Sequence, residues 1–430
     1  MEFAILGGGL AGLSAAYHLK RNYLLLERGN RVGGLCSSKN VKGYTFDNAP
    51  HIFFTKNDYT KDLIFNLLKG NLIEQLRRAY IYLKNAYVKY PFEANLKPLS
   101  DEIIEECIKG VIEREKSKPK NFKEWIYSTF GKGIAKHYMI PYNEKIWKYK
   151  LEKMSLDWIK GRVPSPTVED MRKGALGKQT KEFGSNAIFF YPKKHGIGAI
   201  AESLRSHVSN LSLNSEVTNI KCNDDGIEII YEKNGKIKKV NSEYVISSLP
   251  LPDLAEMILD IPEEVAKAAK NLVFNSLVCV NIGVKRSRIS DKHWVYFPEK
   301  KFIFNRISFP MNFSEFTTPR NRSSILVEVT HRKNTELNID EIKQDVMEGL
   351  ITTKILEEND ELEVCDISHF KYAYVIYDLN HKKNVGTIHT FLRKNNIIPI
   401  GRYGEWEYLN MDKSIMSGRK ATTELNEGIK

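Results

Sequence analysis

Residues 1–27 constrain the fold more than any other part of the chain. Phe3–Leu6 is a short apolar run, and Gly7, Gly9 and Gly12 follow it as G-x-G-x-x-G. Residues 13–19 read as a helix, and a second apolar run, Tyr23–Leu26, ends on Glu27. Glycines at this spacing let the chain turn tightly, let its backbone approach a pyrophosphate, and let helix and strand pack closely. The helix N-terminus then faces the phosphates, Leu10 and Ala11 within the glycine turn are expected to contact the cofactor, and Glu27 is placed to accept from ribose hydroxyls.

The residues after Glu27 choose the dinucleotide. Arg28-Gly29-Asn30-Arg31-Val32-Gly33-Gly34-Leu35 gives E-R-x-x-R-x-G-G. A second glycine pair beyond the ribose-binding acid supplies backbone amides along a longer ligand, which favours FAD over NAD. Arg28, Gly33, Gly34 and Leu35 therefore join the expected cofactor contacts.

At 430 residues and 42% hydrophobic, the chain can bury a substantial core in two or three domains. Its five cysteines are scattered without C-x-x-C spacing, which argues against a disulfide framework or a zinc site and for a reducing compartment. No metal site is expected. The apolar opening is broken by glycines, and no later segment is long and apolar enough to span a bilayer, so a cytoplasmic protein without a membrane span is expected. The net charge of +12 comes mostly from lysines interleaved with acids. That pattern is a solvated surface plus an anion site, with no nucleic-acid module.

The expected fold class is α/β: a Rossmann-like FAD-binding domain, an inserted helical domain and a substrate-side antiparallel sheet domain. Residues 1–60, 190–265 and 395–430 form the FAD-binding part. Residues 61–189 form the mainly helical insertion, with helices at 61–69, 100–114 and 122–156 and a hairpin at 79–88. Its proline- and glycine-bearing stretch 164–185 reads as a mobile flap. Strands at 216–222, 226–232, 236–240 and 244–248 should rejoin the FAD-binding domain. Residues 266–394 form the substrate sheet, with strands at 273–284, 294–297, 302–308 and 324–330. A strand at 397–400 and a helix at about 413–427 close the chain.

Beyond the opening, the chain resembles the UDP-galactopyranose mutases, flavoproteins related to the amine oxidases. The similarity runs in order along nearly the whole sequence. Asn48-Ala49-Pro50-His51-Ile52-Phe53-Phe54-Thr55 resembles the bacterial histidine loop. Tyr90-Pro91-Phe92, Pro141-Tyr142-Asn143 with Trp147, Gly161-Arg162-Val163 and Trp294-Val295-Tyr296-Phe297-Pro298-Glu299 are similar to the eukaryotic branch, as are residues 401–408 and Asn410-Met411-Asp412. The resemblance implies a FAD-dependent isomerase that converts a UDP-sugar between pyranose and furanose, with reduced flavin N5 as nucleophile at the anomeric carbon. It also implies an external reductant or NAD(P)H as partner, and it allows a homo-oligomer.

By the same resemblance, Arg162 and Arg306 clamp the diphosphate, with Tyr296, Tyr374 and Tyr408 donating hydroxyls. Arg306 falls inside the apolar run 302–308, an unfavourable place for an idle charge. Asn143 and Trp147, four apart on a helix, together with Phe92 and Asn186, are carried over to the nucleotide pocket. His51 faces the flavin. Gly401, Arg402, Asn410, Met411 and Asp412 line its pyrophosphate and pyrimidine edge, and Val217 lies beside adenine. Three positions depart from the family: Glu93 replaces a glutamine, Tyr82 an arginine, and Ala49 a glycine. An FAD-dependent amine or protoporphyrinogen oxidase shares the opening and stands as the alternative.

Overall fold

The computed structural model describes residues 1–115, 117–159, 163, 166–184 and 186–427. Its first layer is a five-stranded parallel sheet in the order Ile397–Pro399, Tyr244–Ser247, Phe3–Leu6, Tyr23–Leu26, Leu211–Ser212. These strands are apolar on both faces because both faces are covered. Phe3, Ile5, Leu25 and Ile246 enter a core with helices Leu10–His18, Gly198–Arg205 and Met411–Asn426. Ala4, Leu6, Leu26 and Val245 enter a second core with Val217, Ile220 and Ile229. The fold is the mixed α/β architecture that residues 1–27 predict.

Three of the four strands expected over 216–248 lie outside this sheet. Ser215–Asn223, Gly226–Lys233 and Lys236–Ser242 form a separate antiparallel sheet, and only Tyr244–Ser247 returns. Their short turns, with Gly226 and Gly235 at positive φ, favour hairpins over parallel crossovers.

The second large layer is a seven-stranded sheet. Its order is Leu362–Val375, Phe274–Val284, Ser323–Arg332, Arg306–Ser308, Trp294–Tyr296, Ala79–Leu83, Ala86–Lys89. The hairpin expected within the helical insertion thus belongs to this sheet, where Trp294–Tyr296 pairs in parallel with Ala79–Leu83. An isolated hairpin cannot bury its own apolar face, and here Tyr82 packs among Tyr87, Phe297 and Phe302. Leu362–Val375 was not expected as a strand. It is an edge strand with many half-exposed polar positions, which dilutes the hydrophobic pattern. Helices Ile339–Thr352 and His381–Lys394 likewise lie in stretches the sequence reading left unassigned.

The insertion is built on helices Asp101–Ile112, Phe122–Ile134 and Ile140–Trp147. The expected single helix over 122–156 is broken twice. Gly131 takes φ +69°, and a Cβ there would sit 1.9 Å from the Gly110 carbonyl oxygen, so close helix crossing requires glycine. A π-helical turn at Ala135–Met139 then precedes Pro141, which has no amide to continue an α-helical ladder. Within the predicted flap, helix Val168–Ala175 carries a capping box between Thr167 and Asp170. Among the described residues, no helix is long and apolar enough to cross a membrane.

Candidate active site

The parallel strands Phe3–Leu6, Tyr23–Leu26, Tyr244–Ser247 and Ile397–Pro399 deliver Gly7, Glu27, Ser248 and Gly401 to one edge, where open α/β sheets bind their ligands. Gly7 turns with φ +92°, and a Cβ on Gly12 would lie 2.0 Å from the Gly7 carbonyl oxygen. Gly9 is different: a Cβ there would meet no protein atom within 4 Å. Across from it Gly34, at φ +55°, has only the Gly9 Cα nearby, at 3.6 Å. Gly9 and Gly33 form a β-bridge, and the Gly33 amide donates to the Gly8 carbonyl at 2.8 Å. The two glycine motifs are therefore one cradle.

No side chain caps helix Leu10–His18, so the amides of Leu10, Ala11 and Gly12 face outward toward that cradle's anion end. Helix Met411–Asn426 begins beside it, also without a side-chain cap from Asn410. Gly401 and Gly418 allow this approach, since a Cβ on either would collide with Ala11. Glu27 holds the cradle from behind, its carboxylate accepting from the Gly8 amide at 2.6 Å and the Gly29 amide at 2.7 Å. Val217 lies on the strand tied to Glu27 through the Ser215 amide, at 2.9 Å. Arg28 is exposed and Leu35 half-buried, both at the cradle's rim.

Arg402 supplies the clearest fit to a dinucleotide diphosphate. Its two Nη atoms donate to the carbonyls of Leu409 and Ala373, both at 3.1 Å, while its buried Nε has no partner. Among the described residues no carboxylate pairs with it. A buried guanidinium without a counterion is costly, and an anionic ligand here would relieve that cost. Its guanidinium lies 4.4 Å from the Tyr408 ring centroid and 5.5 Å from that of Tyr374. Met411 is buried behind it, and Asp412 accepts from Thr55 through Oδ2 with Oδ1 buried and unpaired.

Past Arg402 the cleft is lined by rings and a second arginine. Arg306 begins its strand rather than sitting inside one, because residues 302–305 form a loop. It faces Glu328 on the adjacent strand, donating from Nε to Oε2 and from Nη2 to Oε1 at 2.9 Å. Glu328 is 1% exposed. The fork is thus held on one side, and Nη1 has no hydrogen bond among the described residues. Glu328 escaped the sequence reading; its only signal was a lone acid in the apolar run 323–329.

Around Arg306 stand Tyr296, Tyr374, Tyr408 and three tyrosines missed as site residues, Tyr90, Tyr138 and Tyr142. Tyr296 lies 5.8 Å from Tyr90 and 5.3 Å from Tyr142 between ring centroids, and Tyr374 stacks on Tyr408 at 5.8 Å. Burial pushes the Tyr142 and Tyr374 phenols well up, so they remain protonated donors. His51 joins the two arginines. Burial, opposed by its hydrogen bond to the Ala49 carbonyl at 2.8 Å and reinforced by Arg402 and Arg306, lowers its pKa to about 4. It is a neutral imidazole.

Other expected residues sit differently. Phe92 is fully buried and stacks on Tyr138, so it supports the tyrosine wall from behind. Asn143 accepts from the Trp147 indole at 2.9 Å and donates to the Met139 carbonyl at 2.7 Å. It fixes Trp147, whose ring meets Tyr374 and Tyr408 edge-on. Asn186 reaches the cleft only through Arg77, which donates to it at 2.6 Å and lies over the Tyr90 ring. Glu93 is 2% exposed, and burial raises its pKa to about 7. Gly161 and Arg162 lie outside the described residues.

Fold and cleft together define a flavoprotein-type architecture with a phenol- and guanidinium-lined pocket beside the glycine cradle. The profile of the flavin-containing amine oxidoreductases matches residues 10–426, and the chain belongs to that family. A crystal structure of reduced UDP-galactopyranose mutase superposes with a TM-score of 0.93 at 26% identity, covering 99% of this chain and 94% of that one. An Exiguobacterium protein described as a protoporphyrinogen oxidase gives 0.76 at 16% identity, over 99% and 98% of the two chains. An L-amino-acid oxidase from Notechis scutatus scutatus is 24% identical over 269 residues, 56% of this chain and 49% of that enzyme. A Methanothermococcus thermolithotrophicus protein without assigned function is 41% identical over 61 residues, 14% of this chain and 59% of its own length. The chain thus spans about half the length of these two relatives.

Proposed function

We propose that the protein is an FAD-dependent nucleotide-sugar mutase that interconverts pyranose and furanose forms, most simply UDP-galactopyranose and UDP-galactofuranose. The observation that carries this reading is Arg306, half-buried beside a ring of phenols and pinned by the buried Glu328 with one Nη unengaged among the described residues. A diphosphate leaving group calls for a fixed guanidinium and protonated phenols. The likeness to the mutase structure supports the same reading.

FAD would be held by Gly7, Gly9, the first turn of helix Leu10–His18, Gly33, Gly34, Glu27, Gly401, Arg402 and the N-terminus of helix Met411–Asn426. When reduced by an external donor or NAD(P)H, it would supply the nucleophile for the sugar's anomeric carbon. The chain's own residues do the rest. Arg306 holds the diphosphate, and Tyr296, Tyr374 and Tyr408 stabilise its charge with hydrogen bonds. Trp147 and Tyr142 close the wall and exclude water. His51, neutral, presents an imidazole that does not repel the two guanidinium groups.

The test is to reduce the purified protein with dithionite, add UDP-galactose, and separate the products by chromatography. A furanose peak without stoichiometric consumption of reductant supports the reading. No furanose from UDP-galactose, UDP-N-acetylgalactosamine or a dTDP-sugar rejects it. The oxidase reading rests on the L-amino-acid oxidase match and predicts hydrogen peroxide with an amine or porphyrinogen substrate.

A further inference from the structure

We propose that a second cavity, behind helix Ile140–Trp147, binds a compact polyphosphate anion. The cavity measures about 980 Å³. It lies between that helix, the segment 299–303, Arg332 and helix Ile339–Thr352. Helical spacing separates it from the tyrosine cleft: Asn143 and Trp147 share the face toward Tyr374, whereas Pro141, Glu144, Lys145 and Lys148 lie on the opposite side.

Its lining is strongly cationic. Lys123, Lys148, Lys150, Lys300, Lys301 and Arg332 all border it. Lys123 pairs with Glu152 at 3.9 Å and Lys301 with Glu299 at 3.5 Å. Lys148, Lys150, Lys300 and Arg332 have no ion pair among the described residues. Of the remaining carboxylates on the wall, Glu348 accepts from Gln344 at 2.9 Å, while Glu144 and Asp345 contribute negative charge. The balance is still positive.

Two features make this a built cavity instead of a loose lysine patch. Lys145 is 8% exposed, and its ammonium donates to the carbonyls of Phe297, Glu299 and Phe304 at 2.9, 2.6 and 3.0 Å. That tripod fixes the segment bearing Lys300 and Lys301. Lys148 caps the helix at φ +51°, half-buried, and its carbonyl accepts from the Arg332 Nε at 3.2 Å. The exposed Arg332 guanidinium is thereby tied to the Lys148 turn, and burial, with the Arg332 charge second, lowers the Lys148 pKa. Such a pair lacks a compensating anion, and vicinal phosphates supply several oxygens at the needed spacing. The concave shape and the carboxylates on its wall disfavour an extended polyanion such as RNA. Phe302 and Tyr149 add apolar surface that a nucleoside could use.

The test is titration calorimetry on the purified chain at low ionic strength, with inorganic tripolyphosphate and ATP as separate arms, on the wild type and on Arg306→Met. That substitution removes the anion clamp of the tyrosine cleft under the function proposed above, so heat that persists in it belongs to the second cavity. Saturable one-to-one binding is expected in at least one arm. Tripolyphosphate binding marks a bare phosphate site, and ATP binding alone marks a nucleotide site. Affinity should fall about tenfold in Lys148→Gln and in Lys300→Gln, and with added salt. Lys300 is exposed, so its variant keeps the test sound if Lys148→Gln folds poorly. No saturable heat in either arm, or affinity unchanged from the wild type in both variants, overturns the proposal.

Discussion

The Arg306–Glu328 pair allows structure and function to be separated by a double-mutant cycle. Replacing Arg306 with methionine leaves the Glu328 carboxylate, 1% exposed, without its partner. Breaking a buried pair from one side costs about 3–5 kcal/mol, and the lower end applies because the Arg306 side chain is 20% exposed. For 430 residues the unfolding entropy is about 0.9 kcal/mol/K, so a loss of about 3 kcal/mol lowers Tm by about 3 °C. Adding Glu328→Gln removes the stranded charge and should recover most of that loss, giving a coupling energy of about 2 kcal/mol. Mutase turnover should be lost in Arg306→Met and stay lost in the double variant. Thermal melts followed by flavin fluorescence give the first quantity, and product chromatography the second. Recovery of turnover together with stability would refute the reasoning, because Arg306 would then be no more than a structural partner.

Three further outcomes follow from the geometry. Gly9→Ala should fold normally, since Gly9 has φ −72° and open space at its Cβ, yet lose yellow flavin; Gly12→Ala, colliding with the Gly7 carbonyl, should lose both fold and flavin. Absorbance and circular dichroism distinguish them. Glu93 binds a proton in the folded chain up to about pH 7 but only to about 4.5 when unfolded, so its burial costs stability increasingly as pH rises through that window. Glu93→Gln should therefore raise Tm by about 3 °C at pH 8 and change it little at pH 4.5; an equal shift at both would contradict the assignment. The His51 imidazole behaves oppositely: its contribution is full above about pH 6.5 and is lost as pH falls toward 4. An NMR titration of the ring should show a midpoint well below 6, and one near 6.5 would refute its placement between Arg402 and Arg306.

The cradle was legible in the sequence because glycine spacing is a local property. Gly7 and Gly12 declare a turn that a side chain would block, Gly9 keeps the backbone open to a ligand, and Gly33-Gly34 repeats the pattern. The tyrosine cleft was legible only by resemblance, since its rings come from Tyr90 just after the hairpin, the insertion, two strands of the seven-stranded sheet and Tyr408 before helix Met411–Asn426. Glu328 could not be paired with Arg306 without the register that sets them side by side. Leu362–Val375 was hidden because a half-exposed edge strand carries polar residues on its open face. The hairpin was recognised as a hairpin but assigned to the wrong neighbours, because its parallel pairing with Trp294–Tyr296 joins residues over two hundred positions apart. The basic cavity behind Ile140–Trp147 has the same origin: its lysines belong to separate turns that only tertiary packing gathers.

The most direct measurement is the ratio of furanose formed to reductant consumed by the reduced protein given UDP-galactose. A ratio far above one, together with bound FAD released on denaturation, is the result predicted here. A ratio at or below one, with peroxide accumulating instead, would mean that the guanidinium and phenol cleft serves an oxidase.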